Sequence, residues 1–208
     1  MSRVRIKFCG ITRIEDARFA AELGVDALGF VFTRRSRRFI EPDAAARIMR
    51  ESPPFVTRVA LFMDDEPAWI KQVVSMARPQ LLQFHGSESA AECAAHGMPY
   101  LKAVPMASVT DVASYAAGFP AATGFLLDAH ASGESGGQGE RFDWSRQVSL
   151  QRPLILAGGL DADNVSEAIR AMRPYAVDVS SGIESAPGIK DAARMQAFAE
   201  TVRQTTAQ

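Results

Sequence analysis

The chain has 208 residues, which suits one domain, and its 47% hydrophobic and 23% charged residues are typical of a soluble globular protein. Its 23 basic and 24 acidic residues leave a formal charge of −1, so neither a nucleic-acid partner nor an acidic disordered tail is expected. No apolar run is long enough to cross a bilayer and the start has no signal-peptide core, so we expect a cytoplasmic protein with no membrane partner.

The chain contains two cysteines and three histidines, and all five are scattered singly. This spacing predicts reduced thiols and no metal site. Cys93 lies in a helical pattern and is expected to be packed in the core.

Eight short runs rich in Val, Ile, Leu and Phe are predicted to be strands. In chain order they are Val4–Cys9, Ala27–Phe32, Arg58–Met63, Leu81–His85, Tyr100–Val104, Gly124–Asp128, Pro153–Ala157 and Ala176–Ser180. Between them, apolar residues at three- and four-residue intervals predict helices. These helices are Ile14–Leu23, Asp43–Arg50, Pro67–Met76, Ala162–Met172 and Asp191–Val202.

Strands that alternate with helices imply an α/β fold with a parallel sheet and right-handed crossovers. Eight such units close naturally into a (β/α)₈ TIM barrel, and 208 residues is near the lower size limit of that fold. The alternative, an open doubly wound sheet, usually has fewer strands and a glycine-rich dinucleotide turn that this chain lacks. No linker divides the chain, so we predict a single barrel domain over residues 1–208. The glycine-rich segment 131–139 is predicted to be a mobile active-site loop.

Cys9 ends the first strand, and Gly10 after it allows a tight turn. A free cysteine is more often a small buried hydrophobe, but the carboxyl end of a barrel strand is where catalytic groups lie. Side chains alternate along a strand, so Lys7 and Cys9 share the face that is predicted to point into the barrel. Asp178 points inward on the eighth strand by the same rule. Because an unpaired inward lysine is costly, we predict a buried Lys7–Asp178 ion pair.

Asp128 ends the sixth strand at the same level as Cys9, just before the glycine-rich segment. A helix cap or a solvated loop carboxylate is the alternative interpretation. Together Cys9 and Asp128 form a potential catalytic pair, with a thiolate as base and a carboxylic acid as acid. Their ordinary pKa values oppose these roles, so we expect Lys7 to favour the thiolate, and burial or a nearby negative charge to raise the pKa of Asp128.

Glycines follow the seventh and eighth strands, where barrel enzymes often bind phosphate through backbone N–H groups. A single such turn is weak support, but two in consecutive loops favour phosphate. The candidate phosphate-binding residues are Gly158, Gly159, Ser180, Ser181 and Gly182.

Three further side chains are candidate substrate contacts. One arginine of the run 34–38, after the second strand, could bind a carboxylate with bidentate geometry, although most arginines in such runs are solvated. Gln83 and His85 point inward at the end of the fourth strand. For these two, a hydrogen-bonded structural role is an equally good interpretation.

Taken in order, the motifs of this chain resemble those of the phosphoribosylanthranilate isomerase family. They are Lys7-Phe8-Cys9-Gly10-Ile11-Thr12, Gly29-Phe30-Val31-Phe32 with Ser36 and Arg38, Gln83-Phe84-His85-Gly86, Leu126-Leu127-Asp128, Gly136-Gly137-Gln138-Gly139, Phe142-Asp143-Trp144, Gly158-Gly159-Leu160, and Asp178-Val179-Ser180-Ser181-Gly182-Ile183-Glu184 with Pro187-Gly188. The arginine-rich loop departs from the family pattern at Arg34, Arg37 and Phe39, where Pro, Pro or Lys, and Tyr are common.

The resemblance implies the third step of tryptophan biosynthesis from chorismate, an Amadori rearrangement of a small phosphorylated sugar substrate that needs no metal or organic cofactor. It implies that Asp128 protonates the ribose ring oxygen and that the Cys9 thiolate removes the proton from ribose C2. It further implies that Arg38 contacts the anthranilate carboxylate, and it is compatible with a monomer or a homodimer.

Two alternatives remain at this point. The related sugar isomerase of histidine biosynthesis performs the same rearrangement. The pattern of that family has two aspartates, one of them at the position of Cys9, so the cysteine in this chain argues against it. A non-catalytic barrel that binds a phosphorylated ligand is the other, and the presence of both Cys9 and Asp128 argues against it.

Overall fold

The structure, a computed structural model, describes residues 3–129, 142–146 and 148–206. Eight parallel strands close into a barrel in chain order, with the first strand hydrogen bonded to the eighth. The predicted (β/α)₈ barrel is confirmed, and every predicted strand boundary agrees with the structure to within one residue. The strands are β1 Arg5–Cys9, β2 Ala27–Val31, β3 Thr57–Phe62, β4 Leu81–Phe84, β5 Tyr100–Pro105, β6 Gly124–Asp128, β7 Leu154–Leu156 and β8 Ala176–Val179.

Seven α-helices surround the barrel in the part of the chain that the structure describes. They are α1 Ile14–Glu22, α2 Pro42–Glu51, α3 Pro67–Ala77, α4 Ala90–Ala94, α5 Val112–Ala117, α6 Val165–Met172 and α7 Ala192–Thr206. Proline occupies the first turn of both α2 and α3, where its missing N–H costs nothing. The five predicted helices are confirmed. Cys93, which was expected to be packed in a helical pattern, is buried in α4, whereas α5 was not predicted. The predicted active-site loop 131–139 lies outside the described residues.

A small hairpin that the sequence analysis did not predict follows the barrel. A 3₁₀ turn over Ser181–Ile183 leads into β9 Glu184–Ala186, which pairs antiparallel with β10 Ile189–Lys190. The hairpin lies between β8 and α7 in the chain and forms a sheet of its own.

The alternation of side chains along each strand produces two apolar layers. Outward residues such as Ile6 and Phe8 pack against the helices, and the Phe8 ring meets that of Phe198 on α7 edge-on at 6.1 Å. Inward residues form a second, smaller cluster inside the barrel, made of Leu101, Ala103, Leu126, Ile155, Ala157 and Ala176. Asp128 and Asp178 lie two residues after Leu126 and Ala176 on the same strands, so the polar side chains sit above an apolar plug.

Across the described parts of the chain, no helix combines the length and the apolar character that crossing a membrane requires.

Candidate active site

A single pocket at the carboxyl ends of the strands collects nearly all of the predicted site residues. Nine of the ten line it, namely Cys9, Arg38, Gln83, His85, Asp128, Gly158, Gly159, Ser180 and Ser181. They come from β1, β4, β6 and the loops after β2, β7 and β8, so only closure of the barrel brings them together. Gly182, the tenth, does not line the pocket.

The predicted ion pair between Lys7 and Asp178 is confirmed. The two residues are direct partners in the register of β1 and β8, and Lys7 Nζ lies 2.8 Å from Asp178 Oδ2. Lys7 is 4% exposed and Asp178 7%, so the pair is desolvated. Burial alone would lower the pKa of Lys7, but Asp178 and Cys9 outweigh it and raise that pKa. Lys7 is therefore a buried ammonium that stays protonated at neutral pH.

Cys9 lies next to this pair, and the net effect of its surroundings on the thiol pKa is opposite to the one that the sequence analysis expected. Burial raises the pKa of the Cys9 thiol, and the charge of Asp178 raises it further. Lys7 does lower this pKa, as predicted, through its charge and a hydrogen bond to the sulfur, but burial outweighs it. The neutral thiol is therefore the main form of the free protein at neutral pH. Gly29 on β2 leaves the necessary space, since a Cβ there would lie 2.7 Å from Cys9 Sγ.

The acid candidate Asp128 is hydrogen bonded to His85, for which the sequence analysis left open both a substrate contact and a hydrogen-bonded structural role. His85 Nε2 lies 3.0 Å from Asp128 Oδ2, and both residues are buried. On the other side of the ring, Gln83 Nε2 lies 3.2 Å from His85 Nδ1. With the Gln83 amide donating to Nδ1, the imidazole carries its proton on Nε2 and donates it to Asp128. Gln83, His85 and Asp128 thus form one hydrogen-bonded row.

Among the arginines of the run 34–38, Arg38 is the one held at the pocket with its side chain only 14% exposed. Its Nε and Nη2 donate to the two carboxylate oxygens of Glu184 at 2.9 and 2.8 Å. Arg34 stacks over the Trp69 ring instead, at 4.2 Å, and Arg37 is exposed. Arg35 also lines the pocket, but its side chain is 56% exposed.

Glu184 and Lys190 belong to this site and were missed as functional residues. Glu184 stood within a recognised motif after β8, whereas no local pattern marked Lys190. Lys190 Nζ is buried and lies 2.8 Å from Glu184 Oε1 and 2.5 Å from the carbonyl oxygen of Cys9. The two residues therefore join the arginine to the backbone of the thiol.

The two glycine-rich loops approach each other beside the pocket. Gly158 and Gly159 both have a positive φ, +84° and +59°, which a side chain would strain. A Cβ on Gly182 would collide with the carbonyl oxygen of Leu160, so Gly182 allows the loops after β7 and β8 to touch. Each of the three positions therefore requires glycine. Gly182, predicted to bind phosphate, allows the two loops to pack together in this structure.

Two side chains hold these loops from behind. The buried Asn164 donates from Nδ2 to the carbonyl of Gly159 at 2.9 Å, and its Oδ1 accepts from the N–H of Asp161 at 3.1 Å. The Ser180 hydroxyl donates its proton to the carbonyl of Cys9 at 3.0 Å. Any contact of Ser180 with a phosphate would therefore use its backbone N–H unless this bond is exchanged.

Comparison with known proteins identifies the family. The family model described as N-(5'-phosphoribosyl)anthranilate (PRA) isomerase matches residues 6–201. The chain belongs to this isomerase family. A relative of that name from Thiobacillus denitrificans is 51% identical over 197 residues, which cover 94% of this chain and 96% of the relative.

Solved structures of phosphoribosylanthranilate isomerases have the same fold. That of the Thermotoga maritima protein matches with a TM-score of 0.87 and 42% identity, over 97% of this chain and 99% of that one. A second, in complex with reduced 1-(o-carboxyphenylamino)-1-deoxyribulose 5-phosphate, matches with a TM-score of 0.82 and 39% identity, over 97% and 99% of the two chains. Membership of this family rules out the histidine-pathway alternative as the better description of the chain.

Proposed function

We infer that this chain converts N-(5-phosphoribosyl)anthranilate into 1-(o-carboxyphenylamino)-1-deoxyribulose 5-phosphate, the third step of tryptophan biosynthesis from chorismate. Beyond the family match, the observation that supports it is the placement of Cys9 and Asp128 in one pocket that also receives Arg38 and the glycine-rich loops. The pocket thus offers a base, an acid, a carboxylate site and an anion site in one place.

The substrate has an anionic group at each end, and the pocket has a matching group for each. The loops with Gly158, Gly159 and Ser181 would hold the phosphate through backbone N–H groups. Arg38 would hold the anthranilate carboxylate through N–H groups other than the two that bind Glu184, because the two-point bond to Glu184 fixes the plane of the guanidinium at the pocket. Fixing both ends places the ribose between Cys9 and Asp128, which converts the proton transfers into local steps.

The reaction then needs two proton transfers in order. Asp128 protonates the ring oxygen of the ribose, and the furanose opens to a Schiff base. The Cys9 thiolate removes the proton from C2, and the resulting enolamine tautomerises to the ketone. His85 Nε2, 3.0 Å from Asp128, donates a hydrogen bond that holds the side chain of Asp128 in place for the first transfer.

The thiolate is the minor form of Cys9, and Lys7 makes it accessible. When Cys9 loses its proton, the negative charge on the sulfur is stabilised by the buried ammonium of Lys7, which already donates a hydrogen bond to it. Because the pKa of Cys9 is raised by burial, kcat/KM should increase as the pH rises from neutrality until the thiol is ionised.

A fluorescence assay for the loss of phosphoribosylanthranilate tests the function directly, with the histidine-pathway substrate as control. Cys9→Ala and Asp128→Asn should each lower kcat by at least about 10²-fold, the usual scale of acid–base catalysis, while binding is largely kept. Cys93→Ala is the matched control, since Cys93 is a buried cysteine of α4 outside the pocket. Near-wild-type turnover by either site variant would overturn the roles.

Three coarser properties belong to the same proposal. We propose that residues 1–208 form one domain, which predicts a single cooperative unfolding transition. We also propose a cytoplasmic location and a monomer or homodimer, the latter measurable by sedimentation.

A further inference from the structure

Lys190 is a buried cation that the acid–base mechanism does not use. It is 4% exposed and ends β10, outside the barrel wall. Its ammonium donates to the carbonyl oxygen of Cys9 at 2.5 Å, to that of Ser180 at 3.2 Å and to Glu184 Oε1 at 2.8 Å. An ammonium has three protons, so these three acceptors satisfy it completely. A fully buried lysine is rare, and these bonds offset only part of its desolvation, because burial still lowers the pKa of Lys190 against the opposing effect of Glu184.

Glu184 extends the same network to the arginine of the pocket. Its carboxylate accepts from Arg38 at 2.9 and 2.8 Å, from Lys190 at 2.8 Å, and from the N–H of Gly188 at 3.2 Å. An unbroken line of charge-assisted hydrogen bonds therefore runs from the backbone of Cys9 through Lys190 and Glu184 to Arg38. Such bonds are stronger than neutral ones and restrict geometry.

The hairpin that carries Lys190 is attached to the loop after β1 and to the first turn of α1. Arg13 donates to the carbonyl of Lys190 at 3.0 Å, and the N–H of Lys190 donates to Asp16 at 3.2 Å. Thr12 also donates to the carbonyl of Gly188. Although β9 and β10 lie outside the barrel wall, these bonds hold the hairpin beside Cys9.

We propose that Lys190 is a positioning residue of the isomerase reaction: it fixes the backbone of Cys9, keeps a positive charge near the thiol, and shares Glu184 with Arg38. This proposal rests on the proposed function, since it assigns Lys190 to the base and to the carboxylate site of that reaction. Lys190 itself does not line the pocket, so it acts through Cys9 and Arg38.

Several charges act on the thiol besides Lys190. Lys7 on the same strand favours the thiolate, and Asp178 on β8 opposes it. Arg38 lines the same pocket as Cys9. The charge of the thiolate in turn favours the protonated forms of Arg38 and Lys190 and so acts to raise their pKa values. Among the residues that the structure describes, the other titratable side chains that line the pocket are Arg35, His85 and Asp128. Burial raises the pKa of Cys9 most, and Lys190 is one of the two cations that lower it directly.

Alkylation of Cys9 by iodoacetamide, followed across pH in the absence of substrate, tests the proposal. A Cys93→Ala background leaves Cys9 as the one thiol of the chain. At neutral pH, Lys190→Met should lower the alkylation rate by roughly tenfold, the effect of one pKa unit on the thiolate fraction. Glu184→Gln should raise the rate, because Lys190 then loses its neutralising partner.

The proposal predicts slower alkylation in Lys190→Met and faster alkylation in Glu184→Gln. A merely structural role predicts something else, because loosening of the hairpin would expose Cys9 and speed alkylation in both variants. Lys102→Met is the matched control: Lys102 is equally buried, but its ammonium binds the carbonyl of Gly86 at 2.6 Å and Glu88 at 2.8 Å. It should leave the rate within about twofold of the background.

Faster or unchanged alkylation of Lys190→Met, or a change equal to that of Lys102→Met, would overturn the proposal. If Lys190→Met fails to fold, an unchanged or slower rate in Glu184→Gln would overturn it equally. In steady-state kinetics, Lys190→Met should lower kcat more than it raises KM, whereas Glu184→Gln should chiefly raise KM. Alkylation needs no turnover, so absence of isomerase activity in the wild type would count against the proposed function alone.

Discussion

His85 Nε2 lies 3.0 Å from Oδ2 of Asp128, and the two side chains are each only 8% exposed. This hydrogen bond joins the acid candidate directly to His85 in an environment that is shielded from water. Asp128 and His85 therefore act together, and the hydrogen bond from Gln83 to Nδ1 sets the tautomer of the His85 ring.

This coupling makes a prediction about double variants. His85→Leu should lower kcat by about 10- to 100-fold, as expected for losing a hydrogen bond to a charged group worth about 1.5–3 kcal/mol. The double variant His85→Leu/Asp128→Asn should be scarcely worse than Asp128→Asn alone, because residues that act as a unit are not additive. Steady-state kinetics of the three variants measure this, and additive losses would show that the residues act separately.

The buried Lys7–Asp178 pair predicts a stability effect that a double variant repairs. Lys7→Met leaves a buried carboxylate without its partner and should lower the free energy of unfolding by about 3–5 kcal/mol. Lys7→Met/Asp178→Leu removes both charges and should recover most of that loss. The exposed pair Arg18–Glu51, with side chains 62% and 47% exposed, is the control. Arg18→Met should cost less than about 1 kcal/mol.

Urea denaturation of these variants gives the comparison. Equal instability of the single and the double variant would mean that packing, and not the unpaired charge, causes the loss.

Gly29 predicts a catalytic loss without unfolding. A Cβ at this position would lie 2.7 Å from Cys9 Sγ and 3.0 Å from Lys7 Nζ, so Gly29→Ala must displace the thiol or the ammonium. A misplacement of this order should lower kcat by about 10- to 100-fold. Gly118→Ala is the matched control, because Gly118 is the residue after α5 with φ −67°, and a Cβ there would come no closer than 3.2 Å to an atom beyond its chain neighbours, the carbonyl oxygen of Tyr115. Wild-type kcat in Gly29→Ala would contradict the crowding argument.

Glu184 predicts a specific dependence of stability on pH. Burial opposes its ionisation, but the hydrogen bonds from Arg38 and Lys190 outweigh burial and lower the pKa of Glu184 in the folded protein. The stabilisation is therefore fully present above the pKa of an unfolded glutamate, about 4.3, and is lost as the pH falls through the lower folded value. Glu184→Gln lacks this contribution. Its deficit in unfolding free energy should shrink on acidification, and a deficit that stays constant down to about pH 3 would disprove the assignment.

The periodic patterns of the sequence determined the barrel. Apolar runs and alternation are local properties, so they predicted all eight strands, the inward direction of Lys7, Cys9 and Asp178, and the site at the carboxyl ends. The bounds of α4 around Cys93 were not predicted, and α5 was missed, because five and six residues are too few for helical periodicity. A signal did exist for α4, whose capping box joins Ser89 and Glu92.

The tertiary structure alone decided which polar side chains meet. His85 and Asp128 are 43 residues apart, and Arg38 and Glu184 are 146 apart, so no local pattern links them. Lys190 was missed for the same reason: its role comes from a hairpin that folds back on the loop after β1. Periodicity in the sequence sets which way a side chain points, but barrel closure sets its neighbours, and the net pKa of Cys9 follows from those neighbours and from burial.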